Sequence, residues 1–279
     1  MKITNLENES RHIVKTLGNY SILEYETDPS VNGMNAQTEY FMSKMGVHRR
    51  QVIIDMDGKN TAIVQAGAMQ WMLGDLNVGT GIRGAGDFVG KMFKGMVTGE
   101  KAVKPEYNGV GVLALEPTYK FILLEDVSQW NGGLTIEDGM FYACDGSVRL
   151  NIDHRKNLSS AALGNEGFFN LSLQGNGIAA LESNVPAEEL VRVELENETL
   201  RIDGDLAVCW SSNLDFTVER TTKTLIGSAA SGEGLVNVYR GTGTILMSPI
   251  SATDSYLAST SDLSGKAAAK TSNTIFASK

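Results

Sequence analysis

Histidine and cysteine are scarce in this chain of 279 residues. The three histidines, His12, His48 and His154, share no short spacing with one another, with a cysteine or with a pair of carboxylates. A metal site on a β scaffold needs several such ligands on adjacent strands. The sequence therefore predicts no metal site, and we expect no metal cofactor.

Positive charge and long apolar runs are also in short supply. The chain has 24 Lys and Arg against 33 Asp and Glu, a net charge of -9, which opposes a phosphate-binding surface. No uncharged apolar segment approaches the roughly 18 residues that a membrane span needs, and the amino terminus carries no signal-peptide core. We therefore expect a soluble, cytoplasmic protein with no nucleic-acid partner and no transmembrane segment.

What the sequence does contain is a Gly-x-Gly motif that occurs three times, each time before an apolar run. The pairs are Gly109/Gly111, Gly175/Gly177 and Gly241/Gly243. Successive pairs are separated by 66 residues. A fixed interval of this length is typical of a repeat fold.

Each repeat also contains an apolar or β-branched run, a turn and a second apolar run. The paired runs are 51–55 with 61–72, 121–127 with 134–144, and 190–195 with 199–209. Hairpin turns between alternating runs favour antiparallel pairing. We predict an all-β fold of three pseudo-symmetric antiparallel units with a short helical connector.

The repeats also predict the organisation of the chain. Residues 1–250 form a single β body, in which a strand at 20–26 joins the first unit and residues 1–20 are a polar lead-in. The predicted units are about 45–117, 118–183 and 184–250. Residues 251–279, which are rich in Ser, Thr, Ala and Lys, form a carboxy-terminal tail, either disordered or a marginal helix.

Two further residue types recur in phase with the repeats. Gly67, Gly139 and Gly204 precede the last apolar run of each hairpin, which predicts a bulge or bend there. Cys144 and Cys209 lie 65 residues apart at matching points of two units. We expect both cysteines to be reduced, small core residues rather than a disulfide.

The connector of the first unit has a helical pattern over residues 84–97. Its apolar side chains recur at helical spacing, and Lys91 and Lys94 lie between them. The apolar positions are Phe88, Val89, Met92, Phe93, Met96 and Val97. This stripe packs in the core or docks on a membrane or a protein partner, and the sequence leaves both open.

Motifs for nucleotide binding and catalysis are weak. Residues 79–84 match Gly-x-Gly-x-x-Gly, but no βαβ context surrounds them, so a repeat connector is the better interpretation. Residues 86–91 lack the glycine and hydroxyl residues of a phosphate loop, and no Gly-x-Ser-x-Gly elbow exists. Glutamates recur in turns before each Gly-x-Gly, where they bind turn amides or line a shared surface. They are Glu100, Glu166 and Glu233.

Four segments resemble the protein family named for altered inheritance of mitochondria in yeast. They are 67–69, 141–145, 169–177 and, most specifically, 232–245, and the resemblance covers about residues 20–250. The resemblance implies three units, each similar to a subunit of the tryptophan RNA-binding attenuation protein (TRAP-like), a fold of the double-stranded β-helix or β-sandwich type. It implies no established activity, and that distant relative's RNA- and tryptophan-binding residues have no matching motif here. Mitochondrial members are linked to inner-membrane organisation, which extends to this chain only by analogy.

The sequence therefore predicts no catalytic, cofactor-binding or metal-binding residues. We expect a non-enzymatic scaffold or binding protein that acts through its β-surface, with an unknown protein partner. One alternative is a small-molecule-binding module or enzyme with its site in a cleft between units. Another is a protein that docks on a membrane or a partner through the helix at 84–97.

Overall fold

The computed structural model describes residues 2–28, 30–79, 104–154, 169–203, 206–220 and 235–250. Within these ranges the chain forms sixteen β-strands and one α-helix, and the strands pair antiparallel throughout. The predicted all-β fold with antiparallel pairing and a short helix is confirmed. The predicted helix at 84–97 and the tail at 251–279 lie outside the described residues.

The elements follow one another along the chain in three groups. The first is β1 (Arg11–Leu17), β2 (Tyr20–Tyr25), α1 (Ala36–Lys44), β3 (Arg49–Asp57), β4 (Ala62–Val64), β5 (Met69–Gly79) and β6 (Glu106–Leu115). The second is β7 (Phe121–Asp126), β8 (Leu134–Ile136), β9 (Phe141–Asp145), β10 (Arg149–His154), β11 (Phe169–Gln174) and β12 (Ile178–Ser183). The third is β13 (Val191–Asp203), β14 (Ala207–Ser211), β15 (Asp215–Arg220) and β16 (Leu235–Met247).

The amino-terminal region differs from the sequence prediction. Residues 1–20 are not merely a polar lead-in, because β1 forms within them and pairs with β2. Side chains of β1 are at most half-buried, so the strand depends on backbone pairing and shows little apolar alternation. Helix α1 was not predicted either, since it buries no side chain and so carries no apolar stripe.

Two sheets organise the described strands. The first runs β1-β2-β3-β6-β4-β9-β12-β7, with β5 also paired to β6, and it curls so that β1 lies beside β7. The second runs β10-β11-β8-β14-β16-β13, with β15 also paired to β16. The long strands β6 and β16 therefore contact partners on both edges, which places them at the centre of their sheets.

The Gly-x-Gly motifs lie on these central strands, where the chain passes close to a neighbouring backbone. The first glycine of each pair has a positive φ: +120° at Gly109, +112° at Gly175 and +121° at Gly241. Side chains rarely adopt this conformation. A Cβ at Gly109 would lie 2.0 Å from the carbonyl oxygen of Asp75 on β5. The motif thus permits a backbone bend and a close strand approach.

A β-bulge follows the predicted glycine in each hairpin that is described. Gly67 and Gly139 have positive φ and lie in turns before β5 and β9, whereas Gly204 lies outside the described residues. The register shifts lie two to four residues after the glycines, inside the strands. The glycines therefore form the turn, and the bulge that was predicted at them is displaced into the following strand.

Three buried clusters fill the fold. One lies between strands of the first sheet and includes Tyr20, Ile54 and Leu113. A second joins residues 123–181 to Cys209 and Leu246, and a third gathers around Trp210 and Tyr239. Cys144 and Cys209 are free and fully buried, as predicted, and burial raises the pKa of both thiols well above its ordinary value.

Candidate functional site

The largest concentration of charged side chains among the described residues lies in a cleft between helix α1 and the ends of β2 and β3. The cleft has a volume of about 260 Å³ and is lined by both apolar and charged groups. Residues of the lining that carry hydrogen-bonding side chains include Asp28, Glu39, Ser43, His48, Arg49 and Tyr119. Because α1 buries no side chain, these polar contacts are what attach it to the sheet.

The inner part of the cleft is a buried ion pair. Arg50 is 6% exposed, and its Nε lies 2.6 Å from Oε2 of Glu24. The other oxygen of Glu24 lies 2.7 Å from Nδ1 of His48. Arg50 also donates to the carbonyl oxygens of His48 and Gly46, and its guanidinium lies 4.1 Å from the ring centre of Phe121. Every donor direction of this guanidinium is therefore turned toward the protein.

The outer part of the cleft is centred on Arg49. Its Nη1 lies 2.9 Å from Asp28, its Nη2 lies 3.5 Å from Glu39, and its Nε donates to the hydroxyl oxygen of Tyr119. Tyr119 in turn donates to Glu39 at 2.6 Å. The group thus ties α1, the segment after β2, β3 and the segment before β7 together.

The titration of the outer cleft follows from these contacts. Burial opposes ionisation of Asp28, but hydrogen bonds from Ser30 and the charge of Arg49 hold the pKa of its carboxyl below the ordinary value. The hydrogen bond to Tyr119 and the neighbouring carboxylates raise the pKa of Arg49, against its burial. Burial and the carboxylate of Glu39 raise the pKa of Tyr119. At neutral pH the cleft therefore holds charged partners rather than a poised acid or base.

A second cleft of about 320 Å³ lies where the turn before β5 meets β9. Its lining includes Gln65, Phe141, Tyr142 and Glu182. Lys104 donates to Gln65 and lies 4.4 Å from the ring centre of Phe141, and the Tyr142 hydroxyl donates to the carbonyl oxygen of Glu116. Burial, with Glu182 and Glu116 nearby, raises the pKa of Tyr142. The described polar groups of this cleft also bind within the chain.

The structure does not bring the histidines together. His48 lies in the first cleft, His12 lies 3.9 Å from Glu26 on the surface, and His154 ends β10. No group of three potential metal-ligating side chains occurs within the described ranges. Of the Gly-x-Gly-x-x-Gly segment only Gly79 is described, and Glu100, Glu166 and Glu233 all fall outside.

Sequence reasoning missed the arginines that organise the first cleft. Arg49 and Arg50 follow His48 at the start of β3, so a cluster of basic residues was visible. Their carboxylate partners are supplied by β2, by the segment after it and by α1, which no local pattern connects with β3.

With the fold and the clefts described, comparison with known proteins places the chain. Residues 45–250 match the family described as mitochondrial biogenesis AIM24. The chain belongs to this AIM24 family. The match begins after α1, so the AIM24 region contains the three Gly-x-Gly strands but not the helix that forms one wall of the first cleft.

Two relatives from Streptococcus pyogenes are similar to this AIM24 chain. One, from serotype M6, is called an uncharacterized protein and is 28% identical over 204 residues, covering 70% of this chain and 79% of its own. The other is a solved X-ray crystal structure of a Streptococcus pyogenes protein, with a TM-score of 0.55 and 26% identity. That likeness covers 74% of this chain and 91% of the other. Both relatives support the fold, and neither name states an activity.

No helix in the described ranges of this AIM24 protein has the length and apolar character required to cross a membrane.

Proposed function

We propose that this AIM24-family chain is a non-enzymatic scaffold that acts through exposed strands of its β-surface. The observation that carries the proposal is the apolar exposure of β5 and the adjoining part of β6. The exposed apolar side chains there are Met69, Met72, Leu73, Val78 and Val110. Apolar side chains clustered on an exposed strand are typical of interaction surfaces, because such a strand offers both unpaired backbone groups and apolar contacts.

The paired charges of the first cleft support the same proposal. Arg50 and Glu24 bind each other, and Arg49 is bound by Asp28 and Glu39. A catalytic acid, base or nucleophile needs a pKa matched to its task and a free direction toward a substrate. Charged groups that bind one another and hold a helix in place are instead typical of a structural role.

We also propose the three-unit organisation that the sequence predicts, about 45–117, 118–183 and 184–250. Three equivalent backbone hydrogen bonds support it, each leaving the residue after the central strand toward the residue before its neighbour. They run from the N–H of Glu116 to the carbonyl oxygen of Ala68 at 2.6 Å, from Glu182 to Met140 at 2.7 Å, and from Ser248 to Leu206 at 2.8 Å. A cytoplasmic location and the lack of a nucleic-acid partner remain proposals that rest on the sequence.

One rival function is favoured by a specific feature. The second cleft lies between the first and second predicted units and has the size of a small-molecule site. Phe141 and Tyr142 could contact such a ligand, and Glu182 could orient it. The other rival, docking through the apolar stripe at 84–97, concerns residues that the structure does not describe and stays a prediction.

A ligand screen tests the scaffold proposal. We expect NAD, ATP and Zn²⁺ at micromolar concentration to leave the melting temperature unchanged. A ligand specific to the native state and present at 100 times its Kd stabilises by about 2.7 kcal/mol, which differential scanning fluorimetry detects. A reproducible rise would overturn the proposal. Repeating the measurement with Glu182→Gln and with Arg49→Met would then assign the ligand to one of the two clefts.

A further inference from the structure

Two strand pairings join successive parts of the chain in the same way. We name β4 with β9 the first seam and β8 with β14 the second seam. In the first seam Ala62, Ile63 and Val64 lie opposite Asp145, Cys144 and Ala143. In the second seam Leu134, Thr135 and Ile136 lie opposite Ser211, Trp210 and Cys209.

Backbone hydrogen bonds at both ends of each seam are also equivalent. In the first seam Gln65 donates to Tyr142 at 2.8 Å and Gly146 donates to Thr61 at 2.7 Å. In the second seam Glu137 donates to Val208 at 3.1 Å and Ser212 donates to Gly133 at 2.9 Å. Each seam therefore extends over five residues of either strand, with one register.

The central strands show which residues would form a third seam. Ala62 lies opposite Tyr107 on β6, Leu134 lies opposite Leu173 on β11, and Leu200 on β13 lies opposite Tyr239 on β16. The three partners are 66 residues apart, so Leu200 occupies the position of Ala62 and Leu134. Residues 199–203 of β13 thus correspond to one side of the first and second seams.

The other side of a third seam is found on β5 by the same comparison. Met69, Phe141 and Ala207 lie opposite Leu115, Leu181 and Met247, and a bulge follows each of them. Trp71, Met72 and Leu73 therefore occupy the positions that Ala143, Cys144 and Asp145 hold in β9 and that Cys209, Trp210 and Ser211 hold in β14. Residues 70–74 of β5 are the second half of a seam.

Both halves are open in the described part of the chain. There, β13 pairs only with β16, and β5 pairs only with β6. Met72 is 43% exposed, whereas its counterparts Cys144 and Trp210 are 0% and 2% exposed. Arg201, the counterpart of Ile63 and Thr135, is also exposed. Open edges of this kind are templates for another strand.

We propose that residues 199–203 of one copy pair antiparallel with residues 70–74 of a second copy. This names the partner of the β-surface and rests on the proposed scaffold function. In the register of the first and second seams, Leu200 lies opposite Leu73, Arg201 opposite Met72, and Ile202 opposite Trp71. The partner is a second copy because a single chain carries both complementary halves and leaves them apart from each other in the structure.

The geometry of this contact determines the kind of assembly. The two halves are different surfaces, so the contact is head-to-tail and leaves one free half at each end of a dimer. Each free half can bind a further copy. Repetition closes into a ring or continues as a filament, according to the rotation at each step.

Cross-linking across the third seam tests the proposal. Met72→Cys in one preparation and Arg201→Cys in another place single thiols at positions expected to lie opposite each other. Opposing residues of antiparallel strands have Cα atoms about 4.5–5.5 Å apart, within the range for a disulfide. The native cysteines are fully buried and leave the surface free of other thiols among the described residues.

Mixing and oxidising the two variants should give a disulfide-linked dimer on a non-reducing gel. The matched control replaces Arg201→Cys by Glu194→Cys, an exposed position of β13 outside the seam, and should stay at the mass of one chain. The double variant with Met72→Cys and Arg201→Cys should give a ladder of linked chains.

Two outcomes overturn the proposal. An internal disulfide in the double variant, at the mass of one chain, means that the third seam closes within the molecule. The lack of a disulfide in both experiments means that the seam does not form. Neither outcome changes the ligand screen, and a rise in melting temperature there would overturn the scaffold function while leaving the cross-link intact. The two proposals therefore fail separately.

Discussion

Alanine at position 109 should destabilise the protein by more than about 4 kcal/mol, the range of the most disruptive single substitutions. Gly109 has a φ of +120°, and an added Cβ would lie 2.0 Å from the carbonyl oxygen of Asp75. Backbone on β5 would have to move, and β5 pairs with β6 along its whole length. Urea unfolding followed by circular dichroism measures the loss.

Gly33→Ala is the matched control for this substitution. Gly33 has no positive φ, and no atom lies within 4 Å of an added Cβ, so its replacement should change stability by no more than about 0.5 kcal/mol. Equal unfolding midpoints for the two variants would show that the Gly-x-Gly motif is not required by the close strand approach.

Arg50→Met should lower the free energy of unfolding by about 3 kcal/mol, the low end of the range for breaking a buried ion pair. The substitution leaves the carboxylate of Glu24 without its guanidinium partner at 2.6 Å, with His48 as its remaining ionic contact. Partial exposure of Glu24 allows some hydration, which is why the low end applies. Urea unfolding at neutral pH measures the change.

Arg192→Met provides the comparison for Arg50→Met. Arg192 pairs with Glu194 at 2.9 Å, but both side chains are more than half exposed. An exposed pair contributes about 0–1 kcal/mol, so this variant should unfold close to the unmodified protein. If Arg50→Met behaved like Arg192→Met, the inner cleft would not hold the start of β3 in place.

The parts of the fold that could be predicted are those with local signals. Alternating runs, hairpin turns and the spacing of the Gly-x-Gly motifs placed most strands of residues 49–247, because strand patterning and turn glycines act over a few residues. The burial of Cys144 and Cys209 followed from the same spacing. These features need no knowledge of which strand pairs with which.

The parts that escaped prediction depend on contacts between distant residues. Strand β1 has little apolar alternation, and α1 is held by polar contacts rather than by an apolar stripe. Glu39 meets Tyr119 across 80 residues of sequence. Charged side chains are common on any surface, so the sequence could not show which of them meet in a cleft.

The two open seam halves are a further case of this limit. Met72 and Leu73 belong to an apolar run that predicts a buried strand, as their counterparts Cys144 and Trp210 are. Only the strand register shows that their seam partner is missing among the described strands. Sequence pattern therefore identified the strand but could not show that its edge is open.

The central claim, that this chain is a scaffold which assembles through its β-surface, is tested most directly by the mass of the unmodified protein in solution. Light scattering over a series of protein concentrations should give a mass above that of one chain that rises with concentration. Leu73→Asp, which places a charge in the proposed seam, should return the mass toward one chain without loss of folding, since Leu73 is 39% exposed. A mass of one chain at every concentration would contradict the account.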